Sequence, residues 1–382
     1  MKNKKTNNST ASPLRGPARL SDNKAERSGG DKRGAEAIEL LKQLISTPSL
    51  SRQEEKAADI VEEFFRKKGF SPNRKGNNLW VWAGEKNETK PTLLLNSHID
   101  TVKPSDRWTY DPFSPTLEGG KLTGLGSNDA GAPLVSLIAT FLILSQKEQP
   151  YNLLFAASAE EEISGANGIS SVLVELGKID LGIIGEPTQM QMAVAEKGLM
   201  VLDCIAHGKS GHAAREEGVN AIYEALPDIE WFRTYKFPEG SEFLGPVKMT
   251  VTGIKAGSQH NVVPDVCEFM VDVRINEHYS NHELYDLISK SVKCDVKARS
   301  FRLNSSGISV HHPVVKRGAE LGLSYYGSPT TSDQAVMNFT TLKIGPGDSA
   351  RSHTADEYIY LQEIEEGIDI YVNLLDGLQF NK

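Results

Sequence analysis

The stretch YNLLFAASAEEEISG (residues 151–165) joins an apolar run to three consecutive glutamates. The continuous apolar part is typical of a strand that is buried on both faces, as in a parallel sheet covered by helices. Taken alone, the glutamates favour a simple interpretation, because acidic residues suit the positive end of a helix dipole. The rest of the chain decides between that interpretation and a functional one.

Similar short apolar runs lie on either side of this one. They cover residues 78–83, 92–98 and 180–186, and helix-like stretches at 131–147 and 165–177 alternate with them. Short apolar strands separated by helices are typical of a parallel sheet with helices on both faces. The sequence therefore predicts an α/β fold whose sheet is mostly parallel.

The pattern changes after the fourth strand. Long alternating runs, separated by helical segments at 216–230 and 281–291, predict an antiparallel sheet with helices on one face. We interpret residues 191–303 as an inserted α+β domain. Helices and short strands alternate again further on, so we expect the main domain to comprise residues 34–190 and 304–382.

Bulk properties exclude several classes of protein. Residues 1–33 are polar and lack the apolar segment of a secretory signal, which predicts a disordered tail. The longest apolar run, at 134–144, is shorter than the roughly 20 residues of a membrane span. A net charge of −8 without a basic stripe argues against nucleic acid. Three scattered cysteines favour a reducing compartment. We expect a cytoplasmic protein with neither a membrane nor a nucleic-acid partner.

Acidic and histidine side chains follow the predicted strands. The carboxyl ends of strands gather function in open α/β sheets, so we expect these side chains to meet at one edge. Each has a simpler interpretation by itself, as a loop histidine, a helix cap or a turn residue. The residues concerned are His98, Asp100, Asp129, Glu160, Glu161, Glu162, Glu186 and His353.

Several carboxylates at one edge indicate a bound cation. They would repel one another, and burial would raise their pKa values unless a cation neutralised them. Imidazole and carboxylate ligands without thiolates suit zinc or a similar divalent ion. One carboxylate beyond those that hold two ions can act as a base, as in a two-metal hydrolase. In the pattern His-x-Asp, Asp100 can orient His98 by accepting a hydrogen bond from its far ring nitrogen.

An ordered set of motifs resembles the dinuclear zinc aminoacylases and metallopeptidases. The branch that it resembles most is that of acetylornithine deacetylase and succinyl-diaminopimelate desuccinylase. The motifs are H-x-D (98–100), G-x-G-x-x-D (124–129), E-E-E-I-S-G (160–165), G-E-P-T (185–188), G-K-S-G-H (208–212), N-V-V-P (261–264), V-D-V-R (271–274) and S-H-T-A-D-E-Y (352–358).

The resemblance implies a zinc-peptidase-like catalytic domain that binds two divalent ions, zinc first, with cobalt able to substitute. Asp129 would bridge both ions. His98 and Glu186 would complete one site, and Glu162 and His353 the other. The inserted domain would act as a lid and join two chains into a homodimer.

The resemblance also implies the remaining roles. Glu161 would be the general base, and His212 of the partner subunit would stabilise the oxyanion. Arg274 would bind the substrate's α-carboxylate, with Asn261 and Thr331 in the same pocket. The substrate would be an N-acetyl or N-succinyl amino acid of the ornithine or citrulline type, as in arginine biosynthesis.

Three alternatives stay open at this point: a succinyl-diaminopimelate desuccinylase, a dipeptidase, and a non-catalytic binding protein on the same fold. The chain also departs from the family's pattern in two places. DAGA (129–132) lacks the lysine that usually follows the bridging aspartate, and PTTSD (329–333) lacks a glycine pair.

Overall fold

The computed structural model describes residues 27–215 and 217–381. Residues 1–26 of the predicted tail lie outside this range. Residues 27–33, which we also assigned to the tail, form the first part of a helix, Arg27–Ile45, so the prediction is wrong there. A helix extends easily once it has nucleated, and the buried Leu40 and Leu41 anchor this one further along.

The described residues form eight α-helices and eighteen strands. The helices are α1 Arg27–Ile45, α2 Glu55–Lys67, α3 Ala132–Leu144, α4 Leu173–Leu176, α5 Ala221–Thr234, α6 Asn281–Ser291, α7 Pro313–Glu320 and α8 Leu361–Leu375. The strands are β1 Asn73–Lys75, β2 Asn78–Trp82, β3 Thr92–His98, β4 Thr116–Glu118, β5 Lys121–Thr123, β6 Asn152–Ser158, β7 Leu181–Ile184, β8 Met192–Glu196, β9 Gly198–His207, β10 Gly211–His212, β11 Lys248–Ala256, β12 Val262–Val263, β13 Val266–Ile275, β14 Asp295–Ala298, β15 Ser306–Gly307, β16 Tyr325–Ser328, β17 Thr341–Lys343 and β18 Tyr358–Tyr360.

Nine strands form the main sheet, in the order β1-β2-β6-β3-β7-β17-β8-β15, with β16 also paired to β8. The four central strands, β6, β3, β7 and β17, are parallel. Antiparallel pairs lie toward both edges of the sheet. The predicted α/β fold is confirmed, and most of the parallel strand pairs lie at the centre of the sheet.

Both faces of the central strands are buried, as their continuous apolar pattern predicts. Leu93 and Leu95 of β3 pack into the core beneath α1, α3 and α8. Leu94 points the other way, into a smaller cluster with Trp80 and Ile179. The segment Ser127–Leu144, which ends with α3, is long enough and apolar enough to cross a membrane. However, 83% of it is buried within the protein.

The second sheet is antiparallel, in the order β11-β13-β9-β14, and α5 and α6 pack on one face. Its helix α5 begins at Ala221 instead of at residue 216, because Asn220 caps it by accepting a hydrogen bond from Ile222 N at 3.0 Å. The run that we predicted as the first inserted strand divides between β8, in the main sheet, and β9, in the second sheet. We therefore place the start of the inserted domain after Glu196 instead of at residue 191.

The helix predicted over residues 165–177 is wrong. Only the short turn Ile169–Ser171 and α4 are helical in this region. Gly165 and Gly168 pack closely against the preceding segment, where a Cβ would overlap the Glu160 side chain or the Ala159 carbonyl oxygen. Tight packing against the acidic triplet thus replaces the regular helix.

Candidate dinuclear metal centre

The parallel strands bring the predicted ligands to one edge of the main sheet. His98 ends β3, Glu162 follows β6 and Glu186 follows β7. His353 lies in the segment after β17, with a left-handed backbone (φ 58°). Asp129 comes from the turn directly before α3. Because β3, β6, β7 and β17 run in the same direction, their carboxyl ends converge as the sequence predicts.

Five side chains form two groups that share one aspartate. The ligand atoms of His98, Asp129 and Glu186 lie within 4.8 Å of one another, and so do those of Asp129, Glu162 and His353. Asp129 Oδ1 lies 3.2 Å from His98 Nε2, whereas Asp129 Oδ2 lies 3.7 Å from His353 Nε2. The two oxygens of one carboxylate therefore face different groups, which is the arrangement of a bridging ligand.

The charges of these groups fit divalent cations. Burial, together with the negative charge of Asp129, raises the pKa of Glu186 to about 8. Burial also raises the pKa of Glu161 well above its ordinary value, and the nearby charges of Glu186 and Asp333 add to the effect. Such carboxylates are unfavourable as buried anions without a compensating charge. Oxygen and imidazole ligands with no thiolate match zinc or a similar ion.

His98 is held in the tautomer that a metal ligand needs. Its Nδ1 lies 2.9 Å from the backbone oxygen of Asp100, which can only accept, so Nδ1 carries the hydrogen. In the neutral ring, the lone pair of Nε2 then points toward Asp129. The His-x-Asp pattern predicts that the Asp100 carboxylate orients His98, but that carboxylate is farther from Nδ1, at 3.4 Å. The backbone carbonyl makes the closer contact.

The Asp100 carboxylate instead fixes the acidic triplet. It accepts hydrogen bonds from the backbone N–H groups of Glu161 and Glu162, at 3.0 and 3.2 Å. Ser51 donates its hydroxyl to the same carboxylate at 2.7 Å. Burial alone would raise the pKa of Asp100, but His98 and these hydrogen bonds bring it below its ordinary value. An ionised Asp100 therefore positions both neighbouring glutamates.

The three glutamates of the triplet have three different surroundings. Glu160 turns away from the ligands, and its carboxylate accepts a hydrogen bond from Asn167 Nδ2 at 3.0 Å. Glu162 lies 2.9 Å from His353 Nε2, inside one ligand group. Glu161 belongs to neither group, yet its Oε2 lies 3.9 Å from His98 Nε2. A carboxylate beside the ligands but outside both groups is free to act as a base.

Sequence reasoning missed the residue that shapes the Asp129 loop. The buried carboxylate of Glu357 accepts hydrogen bonds from the backbone N–H groups of Gly126, Asn128 and Asp129, at 3.1, 2.8 and 2.8 Å. This contact fixes the backbone that carries the bridging aspartate. The available signal was the glutamate of the S-H-T-A-D-E-Y motif, to which we had assigned no role.

A buried ion pair beneath the PTTSD loop was also missed. Lys343 and Glu196 are 2.6 Å apart, with side chains 3% and 0% exposed. Glu196 accepts hydrogen bonds from Ser332 and Gln334, and Lys343 donates to Thr330. The pair connects two strands of the main sheet to this loop, and neither residue stands in a motif that we considered.

The structure explains why the usual lysine is absent from DAGA. A Cβ at Gly131 would lie 2.3 Å from the carbonyl oxygen of Gly126 and 2.5 Å from Leu41 Cδ1. No side chain fits there unless the loop or α1 moves. The absence of the lysine therefore agrees with the close packing around Gly131 in this chain.

In the described part of the chain, the predicted substrate residues make no hydrogen bond or ion pair with a residue of the ligand groups. His212 is exposed on β10, and among the described residues its ring bonds only to the backbone N–H of Ala214, at 3.1 Å. Arg274, on β13, is held by both carboxylate oxygens of Asp272, at 2.8 and 3.1 Å. Asn261 is exposed beside β12, and its backbone oxygen accepts from Ala213 N. Thr331 donates to the backbone oxygen of Lys197 at 3.4 Å.

The fold and its ligand groups define a metal-dependent hydrolase with a candidate dinuclear centre. A family model, described as peptidase family M20/M25/M40, matches residues 94–377. The protein belongs to this family. The predicted resemblance to dinuclear metallopeptidases is thereby confirmed at the level of the family.

Solved structures with the same fold cover nearly all of the chain. Aminopeptidase PepT from Bacillus cereus has a TM-score of 0.72 at 19% identity, over 90% of this chain and 98% of that one. A metallo-carboxypeptidase of the M20 family from Sulfolobus solfataricus has a TM-score of 0.68 at 18% identity, over 89% and 98%. The protein YXEP of Bacillus subtilis, described as a dinuclear metal-binding peptidase, has a TM-score of 0.69 at 15% identity, over 90% and 98%. At these identities the likeness shows the fold.

Proposed function

We propose that the protein hydrolyses the amide bond of a small N-acyl amino acid, releasing an acetyl or succinyl group from an amino acid of the ornithine or citrulline type. The observation that carries the proposal is the placement of Asp129 and Glu161. Asp129 is shared by two ligand groups, and Glu161, whose Oε2 lies 3.9 Å from His98 Nε2, belongs to neither. A ligand shared by two ions keeps them close together, and a separate carboxylate can act as the base, as hydrolysis by two metal ions uses them.

The chain's own residues account for the proton transfers. Two bound divalent ions would supply Lewis acidity toward the scissile carbonyl and a lowered pKa for water. Glu161 takes the proton of the attacking water and passes it to the leaving amine nitrogen. The Asp100 carboxylate accepts a hydrogen bond from the backbone N–H of Glu161, and this contact keeps the base in position between the two proton transfers. His98 and Glu186 on one side, and Glu162 and His353 on the other, would hold the ions with Asp129.

We propose zinc as the metal, with cobalt able to substitute, because all five ligands offer nitrogen or carboxylate oxygen. The cysteines Cys204, Cys267 and Cys294 are free and buried. Free thiols favour a reducing compartment, so we retain the cytoplasm as the proposed location.

A dipeptidase is the second candidate. The names of several structural relatives, an aminopeptidase, a tripeptidase and a dipeptidase among them, favour it. The bond that breaks is an amide in both cases, so the metal centre serves either substrate. N-acyl amino acids and dipeptides differ only in the groups on the two sides of that amide bond.

A hydrolysis panel separates these candidates. It should contain N-acetyl and N-succinyl derivatives of ornithine, citrulline and lysine beside unblocked dipeptides of the same amino acids. We expect the N-acyl compounds to give kcat/KM values at least tenfold above those of the dipeptides. Higher values for dipeptides would favour the dipeptidase, and no hydrolysis of any compound by the zinc-loaded protein would refute both.

We also propose that two chains form a dimer through the inserted domain. Tyr223 and Leu226 on α5 are 68% and 52% exposed, and Ile254 on the adjacent β11 is 58% exposed. Among the described strands, β11 lies at the edge of its sheet, with one side free for pairing. An apolar helix face beside a free strand edge suits a symmetric contact with a second copy.

The dimer would give His212 its role. Its Nδ1 accepts a hydrogen bond from Ala214 N, so the neutral ring carries its hydrogen on Nε2. An Nε2–H donor can stabilise the oxyanion that forms during amide hydrolysis. Within the described part of one chain, no contact joins His212 to the ligand groups. We therefore propose that it serves the site of the partner subunit.

Mixing two inactive variants tests this arrangement. Glu161→Ala and His212→Ala should each be inactive alone, whereas co-refolding them should restore activity to roughly a quarter of wild type. Random mixing makes about half of the dimers mixed, and each mixed dimer has one site with both groups intact. Co-refolding either variant with itself is the control. If the mixture stays inactive while mixed dimers form, His212 does not act across the interface.

A further inference from the structure

The turn that carries Glu161 has an unfavourable backbone conformation at both ends. Glu160 and Ser164, which flank it, have φ angles of 54° and 47°. This left-handed region is uncommon for residues other than glycine, and such residues remain in it where surrounding contacts hold them. Glu161 and Glu162 lie between these two residues. Contacts from outside the turn are therefore needed to fix the position of both glutamates.

Asp100 fixes the start of the turn. Its carboxylate accepts hydrogen bonds from the backbone N–H groups of Glu161 and Glu162. Within the turn, the Ser164 N–H donates to the Glu161 carbonyl oxygen at 2.7 Å. Asp100 makes neither of these contacts at the far end, so the left-handed Ser164 needs a second contact there.

Arg302 supplies the contact at the far end. Its guanidinium group donates to the carbonyl oxygens of Ser164 and Gly165, both at 3.1 Å, and to Ser170 Oγ at 3.0 Å. This guanidinium group forms no ion pair with a carboxylate in the part of the chain that the structure describes. Its hydrogen bonds there all go to the loop that follows the acidic triplet. Arg302 and Glu161 also line the same small cleft.

The backbone of Arg302 is attached to the inserted domain. It lies in the segment that returns from β14 to the main domain. The buried Asn281, the first residue of α6, donates its side-chain amide to the carbonyl oxygens of Phe301 and Leu303, at 3.1 and 2.9 Å. Leu303 also accepts from the backbone N–H of Leu199, on β9, at 2.9 Å. Arg302 therefore connects the inserted domain, which holds its backbone, to the main domain, which its side chain contacts.

We propose that Arg302 is a positioning residue, which holds the turn of Glu161 and makes the placement of this base depend on the orientation of the inserted domain. The inference rests on the proposed function, in which Glu161 takes the proton of the attacking water. A residue that places the base without contacting the substrate should affect kcat and leave KM nearly unchanged.

Arg302→Met removes the three hydrogen bonds and keeps a long side chain. With kcat expressed per metal-loaded chain, we expect it to fall about tenfold while KM stays within about twofold of the wild type. Arg302→Lys can still donate to one carbonyl oxygen, so it should recover part of the loss, to about threefold below the wild type. Equal kcat values in the two variants would show that the donated hydrogen bonds are not responsible, and would overturn the inference.

Arg299→Met is the matched control. Arg299 lies in the same segment, is exposed as Arg302 is, and donates to both carboxylate oxygens of Asp203 within the inserted domain, at 2.9 and 2.8 Å. Its substitution removes the same charge from the same segment without touching the turn. Its kcat and KM should equal those of the wild type, and a loss as large as that of Arg302→Met would overturn the inference.

Hydrogen exchange measured by mass spectrometry examines the turn without any substrate. The backbone N–H groups of Ser164 and Gly165 are hydrogen-bonded within the turn. Arg302→Met should speed exchange in a peptide covering residues 159–168 by about fivefold or more, whereas Arg299→Met should leave it unchanged. Unchanged exchange in this peptide overturns the inference, whatever happens to kcat. Equally faster exchange throughout the inserted domain also overturns it, because that result indicates a general loss of stability.

The two readouts separate this inference from the proposed function. If the metal-loaded wild type hydrolyses none of the N-acyl compounds, the proposed function fails. The exchange measurement still decides in that case whether Arg302 holds the turn. If hydrolysis occurs and Arg302→Met changes neither kcat nor exchange, the inference about Arg302 fails alone.

Discussion

Glu161→Gln is expected to lower kcat by about a thousandfold, within the range of roughly 10² to 10⁴ that general acid–base catalysis contributes. The amide has nearly the same shape as the carboxylate but cannot take a proton from water. Because Glu161 belongs to neither ligand group, the variant should keep its metal. Steady-state kinetics and elemental analysis of the same protein sample measure both quantities.

Glu162→Gln is the matched control, since it alters the next residue in the same turn. Glu162 contacts His353 within one ligand group, so its substitution should lower metal content as well as turnover. Equal metal loss in both variants would show that the roles within the triplet are assigned wrongly. Full metal content in both would remove Glu162 from the ligand set.

Asp129→Asn should have the largest effect on metal binding, because this residue stands in both ligand groups. The substitution removes the negative charge that faces His98 through Oδ1 and His353 through Oδ2. We expect the variant to retain well under one ion per chain at a zinc concentration that saturates the wild type. Activity should fall to background. Elemental analysis after dialysis measures the ions.

Asp348→Asn provides the control for this variant. Asp348 lies in the adjacent loop and contacts Asn128, but it belongs to neither ligand group. Its substitution should leave two ions bound. If Asp348→Asn and Asp129→Asn lose metal to the same extent, the effect comes from disruption of the loop instead of loss of a bridge.

The main sheet and the gathering of ligands could be predicted because both depend on local pattern. An apolar run such as residues 92–98 is compatible with few environments, and parallel strands present their carboxyl ends at one edge. Once the strands were placed, the positions of His98, Glu162 and Glu186 followed. The pairing of ligands into two groups came from the family resemblance, and the geometry of Asp129 agrees with it.

Contacts between distant segments could not be predicted in this way. The ion pair of Lys343 and Glu196 joins residues that are far apart in the sequence, and no periodicity indicates it. The hydrogen bonds from the Asp129 loop to Glu357 also join residues that are far apart in the sequence. The helix expected over residues 165–177 failed because packing against Glu160 overrode local propensity. Such contacts depend on the assembled fold.

The most direct test of a two-metal centre is to count the ions in the wild-type protein and to follow activity as they are removed. The account predicts about two divalent ions per chain, loss of hydrolysis on chelation, and recovery when zinc or cobalt is added back. Hydrolysis that continues undiminished after exhaustive chelation, in protein shown to contain no metal, would contradict the central claim.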